Sequence, residues 1–253
     1  MDQFKNYVAD CVSNLYGRLP KTDNQQCRVL MYHAIGTPVP GDTKKLYNLQ
    51  PEIFKAHINY LGELNGNGSL NVYELFHDIS LRDGVVITFD DGYLDNLLVA
   101  APVLIQQQLP FTVFIAPKLM LSGDKRYLTP DTLKELSSLP GVTIGAHGYS
   151  HLPLTTLNNA TLACELKDSR AWLEDTISKP VLSMSYPHGC VDARVQDAVN
   201  QAGFKLAASS RFGARTKTDQ ALLIPRTDIW AKDGIARFKA KLAGSWDWLR
   251  WVQ

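Results

Sequence analysis

The run Val85-Val86-Ile87-Thr88-Phe89 passes without transition into Asp90-Asp91-Gly92. A short, β-branched, unbroken apolar run reads as a strand covered on both faces, the kind found in parallel sheets. Such sheets need crossover helices, so this stretch points to an α/β architecture. Two carboxylates at the end of a buried strand cost desolvation energy unless something compensates. In parallel α/β folds the carboxyl ends of strands are where sites are built. A plainer reading of the same residues is a turn that caps the next helix. The rest of the chain has to decide between them.

The alternation continues on both sides. Cys27 to Tyr32 reads as a first strand and ends in His33. Residues 34–49, with Gly36, Pro38, Pro40 and Gly41, read as loop, and Pro51 to Leu64 as helix with proline in its first turn. Leu70 to Phe76 reads as a short strand and helix start. Tyr93 to Gln107 is helical, with Pro102 expected to kink or restart it. Strands follow at 111–115, 142–146, 181–186, 204–209 and 222–224. Helices are expected at 130–139 with Thr129 as cap, then at 158–177, 191–202 and 235–242. About seven strands alternate with helices, without a linker or a repeat. The pattern predicts α/β, with residues 1–253 forming one seven-stranded (β/α) barrel domain. His33, Asp90, Asp91, His147, His188 and Arg226 each follow an apolar strand, so a barrel gathers them on one face.

Residues 1–20 carry an amphipathic helix, with Phe4, Val8, Val12, Leu15 and Tyr16 near helical spacing. Its polar face has mixed charge, which favours packing over one end of the domain against lying on a membrane. The tail, 244–253, holds Trp246, Trp248 and Trp251. Tryptophan suits sugar stacking or a membrane interface, but packing against the barrel or a second copy is the simpler expectation. Oligomeric state is not addressed by anything else in the chain. A net charge of +1 gives no sign of nucleic-acid binding. No run is long enough to span a membrane, though peripheral contact stays open. The start lacks a basic segment followed by an apolar one, so a cytoplasmic location is expected. Cys11, Cys27, Cys164 and Cys190 show no metal-type spacing and read as thiols in a reducing compartment.

His147-Gly148-Tyr149-Ser150-His151 places two imidazoles four residues apart, directly past a strand. On one helical turn or in a tight loop both can point the same way. With one carboxylate from Asp90 or Asp91 they make three protein ligands and an open position, which is what a catalytic divalent metal needs. The second carboxylate is then free to take a proton from water acidified by the metal. A further acid must protonate a leaving amine. This is the chemistry of metal-assisted amide or ester hydrolysis.

The motifs resemble those of the polysaccharide deacetylases, the NodB-homology domains of carbohydrate esterase family 4. Thr88-Phe89-Asp90-Asp91-Gly92 matches that family's first motif and His147-x-x-x-His151 its second; Tyr186-Pro187-His188-Gly189 resembles a reduced third. The likeness runs from about residue 28 to about 230. It implies a distorted seven-stranded β/α barrel with one divalent metal, often zinc. It implies Asp91, His147 and His151 as ligands, Asp90 as general base, and the His188 backbone N–H as an oxyanion donor. Two departures stand out. Ser185 occupies the position where family members usually carry an arginine that pairs with the base, and no histidine follows His188 to supply the usual C-terminal acid. Leu30-Met31-Tyr32-His33 resembles the subgroup typified by poly-N-acetylglucosamine deacetylases, in which the acid motif is permuted to the N-terminal side. That assigns His33 as general acid. Arg226 is then a candidate to replace the missing arginine beside Asp90, and Asp228 a candidate to orient His33, unless these two simply pair with each other on the surface. His57 and His77 read as structural, and Asp95 as a solvated or capping residue.

The implied activity is removal of an N-acetyl group from an amino sugar, in a biosynthetic intermediate of a surface polysaccharide of O-antigen or capsule type. Two other readings remain: hydrolysis of a non-sugar C–N bond, or a carbohydrate-binding protein without activity.

Overall fold

The computed structural model describes residues 2–18, 27–75 and 84–252. The elements in chain order are α1 (Asp2–Tyr16), β1 (Cys27–Tyr32), β2 (Ala34–Ile35), β3 (Asn48–Leu49), α2 (Pro51–Gly66) and β4 (Gly84–Phe89). Next come α3 (Ala101–Gln106), β5 (Phe111–Ile115), α4 (Pro117–Met120), α5 (Pro130–Ser138), β6 (Val142–Ala146) and α6 (Asn159–Ile177). The chain ends with β7 (Ser183–Ser185), α7 (Ala193–Gln201), β8 (Leu206–Phe212), β9 (Ile224–Asp228) and α8 (Ile235–Leu242).

Seven parallel strands close into a barrel in the order β1-β4-β5-β6-β7-β8-β9, as an α/β reading requires, and helices surround it. Every residue of β1, β4 and β5 is buried, which is why these strands read as continuous apolar runs. Side chains alternate between two cores. Leu30, Tyr32, Ile87, Phe89 and Val113 pack outward with helix residues such as Phe54, Leu104 and Leu133. Val29, Val86, Phe114, Ala208 and Ile224 form a separate inner cluster. In β4 the inward register Val86, Thr88 continues to Asp90, whose N–H still bonds Tyr32 C=O at 3.0 Å. The base candidate therefore lies at the top of the barrel interior.

Local chemistry sets the boundaries. Thr129, Asn158 and Asp192 cap α5, α6 and α7 by accepting backbone N–H bonds from Thr132, Thr161 and Val195. Pro102 restarts the helix after TFDDG: a π-helical turn over Asn96–Ala100 gives way to α3, with the proline in its first turn. Residues 34–49 are more ordered than a plain loop, since β2 and β3 pair in parallel. Val72 makes one isolated bridge to Val85, and residues 76–83, with Phe76 and His77, lie outside the described residues. Arg226 does not follow the last strand but lies within it. Pro225 reads as a terminator, yet β8 and β9 shift register between Ala208 and Phe212, and that irregularity accommodates a residue without an N–H.

The termini pack together. Trp246 is buried, Asp247 accepts both outer guanidinium nitrogens of Arg28 at 2.8 Å, and Trp248 Nε1 donates to Ser13 Oγ at 2.9 Å. Arg28 lies near the N-terminal end of β1, whereas Trp246 meets the Trp230 ring just past the C-terminal end of β9, with ring centroids 5.7 Å apart. Helix α1 docks through Asp10, paired with Arg237, and Ser13. Val8, Val12 and Leu15 face outward, opposite to the expected packing, because the polar side of the helix is the one with partners. The side chains of residues 2–7, Phe4 among them, lie outside the described part. Among the described residues no helix is long and apolar enough to cross a membrane, and no disulfide links the cysteines.

Candidate active site

Asp90 and Asp91 are adjacent but point different ways, because the backbone turns between them. Asp91 has φ 74° and Gly92 φ 75°. The left-handed region is uncommon for a non-glycine residue, though aspartate tolerates it better than most. At Gly92 the positive φ favours glycine, and an added Cβ would lie 2.7 Å from Ile115 Cδ1, so that side chain would have to move as well. The turn sends Asp91 toward two imidazoles and leaves Asp90 over the barrel interior.

Asp91 Oδ1 lies 3.4 Å from His147 Nε2 and 3.1 Å from His151 Nε2. Three ligand atoms of this set lie within 4.8 Å of one another. His147 is buried, and its Nδ1 donates to Ser185 C=O at 2.9 Å, a bond that turns Nε2 toward Asp91: protonated, Nε2 donates to the carboxylate, and in the neutral ring it offers a lone pair to a metal. The loop carrying both histidines is irregular rather than helical, with His151 at φ 56°. Glu165 of α6 shapes it, accepting the N–H groups of Tyr149 at 2.9 Å and Ser150 at 2.8 Å, while Ser169 Oγ donates to Gly148 C=O. Burial pushes the Asp91 carboxyl up, but hydrogen bonds from His147 and His151 outweigh it and hold it well below its ordinary range. Burial disfavours charge on His147, yet Asp90 and Asp91 win and raise it. Two neutral-imidazole nitrogens and one carboxylate oxygen, converging with a fixed tautomer, fit a divalent transition metal.

Asp90 is gripped from within the barrel. Arg226 Nη1 donates to its Oδ1 and Nη2 to its Oδ2, both at 2.8 Å, with neither residue appreciably exposed. The guanidinium is itself fixed by Ser209 C=O at 2.9 Å, Ser185 Oγ at 2.8 Å and Thr88 Oγ1 at 3.3 Å. Ser185 Oγ also contacts Asp90 Oδ2 at 3.1 Å. Burial raises the Asp90 carboxyl, but Arg226, with smaller effects of His147 and His33, more than reverses this and lowers it to about 2. Arg226 thus stands beside Asp90, and Ser185 bridges the two.

His33, Asp228, Asp90 and Asp91 line one cleft of about 620 Å³. Its walls include Val39, Tyr47, Tyr127 and Tyr186. The His33 ring lies 4.4 Å from Tyr47. His33 Nδ1 and Asp228 Oδ1 are both buried without a hydrogen-bond partner, and no bond joins them. Asp228 does not pair with Arg226 either: its Oδ2 accepts Trp230 Nε1 at 2.7 Å. Burial raises the Asp228 carboxyl against the opposing pull of His33 and Lys241. His188 lies at the rim with φ 58°, its ring 4.5 Å from that of His151 and its Nε2 3.2 Å from His151 C=O.

Two other residues depart from or match the reading of the sequence. His57 is a core residue, stacked on Phe238 at 4.0 Å with Nε2 bonded to Asp233 C=O at 2.7 Å. Asp95 is buried rather than solvated: its Oδ2 accepts Ile35 and Thr37 N–H at 2.8 and 3.1 Å, which ties the segment after His33 to the helix after TFDDG.

The family model for polysaccharide deacetylase matches residues 80–207. The Bacillus subtilis (strain 168) protein YxkH, which carries a polysaccharide deacetylase name, is 30% identical over 199 residues, 77% of this chain and 67% of its own. The chain belongs to the polysaccharide deacetylase family. Among solved structures, a polysaccharide deacetylase from Bacillus cereus superimposes with a TM-score of 0.73 at 25% identity, over 86% of this chain and 69% of the other. The Streptococcus pyogenes deacetylase PplD, solved with acetate, gives 0.72 at 22% over 86% and 98%, a likeness of fold. The polysaccharide deacetylase match spans the TFDDG turn, the histidine loop and β7, whereas His33, Arg226 and Asp228 lie outside it.

Proposed function

We propose that the protein is a metal-dependent hydrolase that removes the N-acetyl group of an amino sugar. The observation that carries this reading is the division of labour at one turn: Asp91 joins His147 and His151, while Asp90 is held ionised by Arg226. Asp91, His147 and His151 would hold a divalent ion, with zinc the best match to two imidazoles and a carboxylate, and it would supply Lewis acidity at the acyl oxygen and acidify water. Asp90 takes a proton from the attacking water as the new C–O bond forms. The His188 backbone N–H, at the rim, is the donor assigned to the developing oxyanion. His33 then gives a proton to the departing nitrogen as the C–N bond breaks, leaving acetate and a free amine. Asp228, across the same cleft, offsets the charge on His33. His33 also supports placing the chain in the subgroup with an N-terminal Met-Tyr-His.

The sugar assignment rests on the family. A cleft of about 620 Å³ falls in the size range of small-molecule pockets, roughly 300–1,000 Å³. That volume accommodates a sugar unit, and a biosynthetic intermediate of an O-antigen or capsule type of surface polysaccharide is the substrate class inferred. The test is acetate release from a panel of N-acetylated amino sugars, free, oligomeric and nucleotide-linked, alongside non-sugar acetamides. Release from the sugars, lost in Asp90→Asn with metal binding retained, supports the reading. Release from non-sugar amides only moves the substrate outside sugars, and no release from any amide leaves a binding protein.

A further inference from the structure

We propose that Lys241 is a positioning residue, setting the Asp228 carboxylate for His33 through Trp230. The inference rests on His33 being the acid of the proposed deacetylase. Lys241 sits in the last turn of α8, where a lysine reads as an ordinary surface cation near a helix C-terminus. It is instead fully buried. Its ammonium donates to Asp228 C=O at 2.6 Å and to the Asp233 carboxylate, and lies 3.6 Å from the centre of the Trp230 ring. The same Asp233 oxygen accepts the Trp230 backbone N–H at 2.8 Å, and the Trp230 indole N–H donates to Asp228 Oδ2 at 2.7 Å. Lys241 therefore fixes Asp228 at its carbonyl and underpins the ring that holds its carboxylate.

Stability does not account for this arrangement. A buried ion pair gains little over well-packed apolar residues, because desolvation offsets the attraction. Trp230, Trp246 and Phe212 surround the ammonium and would suit an apolar side chain in its place. What the charge does is act on Asp228. The indole occupies Oδ2, so the unpartnered Oδ1 is the oxygen left for the cleft, where His33 Nδ1 is also unpartnered. Asp233 is a firm anchor, since His57 Nε2 bonds its carbonyl and Arg237 lies 3.7 Å from its other carboxylate oxygen.

The test separates acid catalysis from general integrity. An amine leaves only when protonated, whereas p-nitrophenolate leaves unaided. Lys241→Met and Trp230→Phe are expected to lose about tenfold or more on the acetamido sugar, within the range of general-acid contributions, and far less on p-nitrophenyl acetate. Lys241→Met added to His33→Ala is expected to cost nothing further on the amide. Hydrogen exchange at the Trp230 indole, assigned through Trp230→Phe, should quicken in Lys241→Met. Equal losses on both substrates, multiplying effects of Lys241→Met and His33→Ala, or unchanged indole exchange would overturn the proposal. If Lys241→Met does not fold, the Trp230→Phe substrate split decides. If the wild type cleaves neither substrate, the deacetylase reading fails, while indole exchange still shows whether Lys241 holds Asp228 through Trp230.

Discussion

Replacing Arg226 with methionine should cost far more than a surface charge would. The guanidinium is fully buried and bidentate on Asp90, and also bonds Ser185, Ser209 and Thr88. Arg226→Met fills part of the space but strands the Asp90 carboxylate inside the barrel. Removing one partner of a buried pair costs about 3–5 kcal/mol, and at this chain length that corresponds to a fall of about 10 °C in Tm. Urea and thermal melts at neutral pH measure it. The pH dependence adds a sign. In the wild type the Asp90 carboxyl is lowered from 3.8 to about 2, so its contribution is present above 3.8 and lost as the pH falls through about 2. In the variant burial dominates, the carboxyl titrates higher, and protonation relieves it. The stability gap between wild type and Arg226→Met should therefore narrow in acid. Asp90→Asn together with Arg226→Met should cost less than the two single losses combined. A loss under about 1 kcal/mol, the ceiling for exposed pairs, with an additive double variant, would refute the buried bidentate pair.

Three other outcomes follow from named contacts. Burial lowers the His57 imidazole from 6.5 to about 4, so the unfolded chain binds the extra proton between those values. That contribution is complete above 6.5 and falls by about 3 kcal/mol as the pH drops to about 4, and pH-dependent urea melts of His57→Gln should show a flatter acid limb. Glu165→Ala frees the N–H groups of Tyr149 and Ser150, and should weaken zinc affinity about 10–100-fold, as loss of outer-shell support does, read by titration against a chelating dye. His147→Ala should abolish stoichiometric metal binding, measured as metal content after gel filtration.

The elements most legible in the sequence are those whose local pattern matches their environment. Val85–Phe89 and Phe111–Ile115 are buried on both faces and read as unbroken apolar strands. The paired carboxylates are visible because they follow directly on such a strand, and the histidine loop because His147 and His151 stand four apart directly past β6, a strand buried only in its second half. Arg226 was harder to place, because Pro225 imitates the end of a strand and only the register shift between β8 and β9 shows otherwise. The apolar stripe of α1 suggested a packed face, but the partners of Asp10 and Ser13 turn Val8, Val12 and Leu15 outward. Glu165, Trp230 and Lys241 leave no local trace. A glutamate inside a helix and a lysine near a helix end look like solvated residues until the barrel closes and brings them against the histidine loop and Asp228.

The most direct test of the account is acetate release from an N-acetylated amino sugar by the zinc-loaded protein, before and after chelation, with Asp90→Asn alongside. The account predicts acetate and free amine in equal amounts, loss of both on chelation with recovery when metal returns, and none from the variant although it still binds zinc. Release that survives chelation, or that persists in Asp90→Asn, would contradict it.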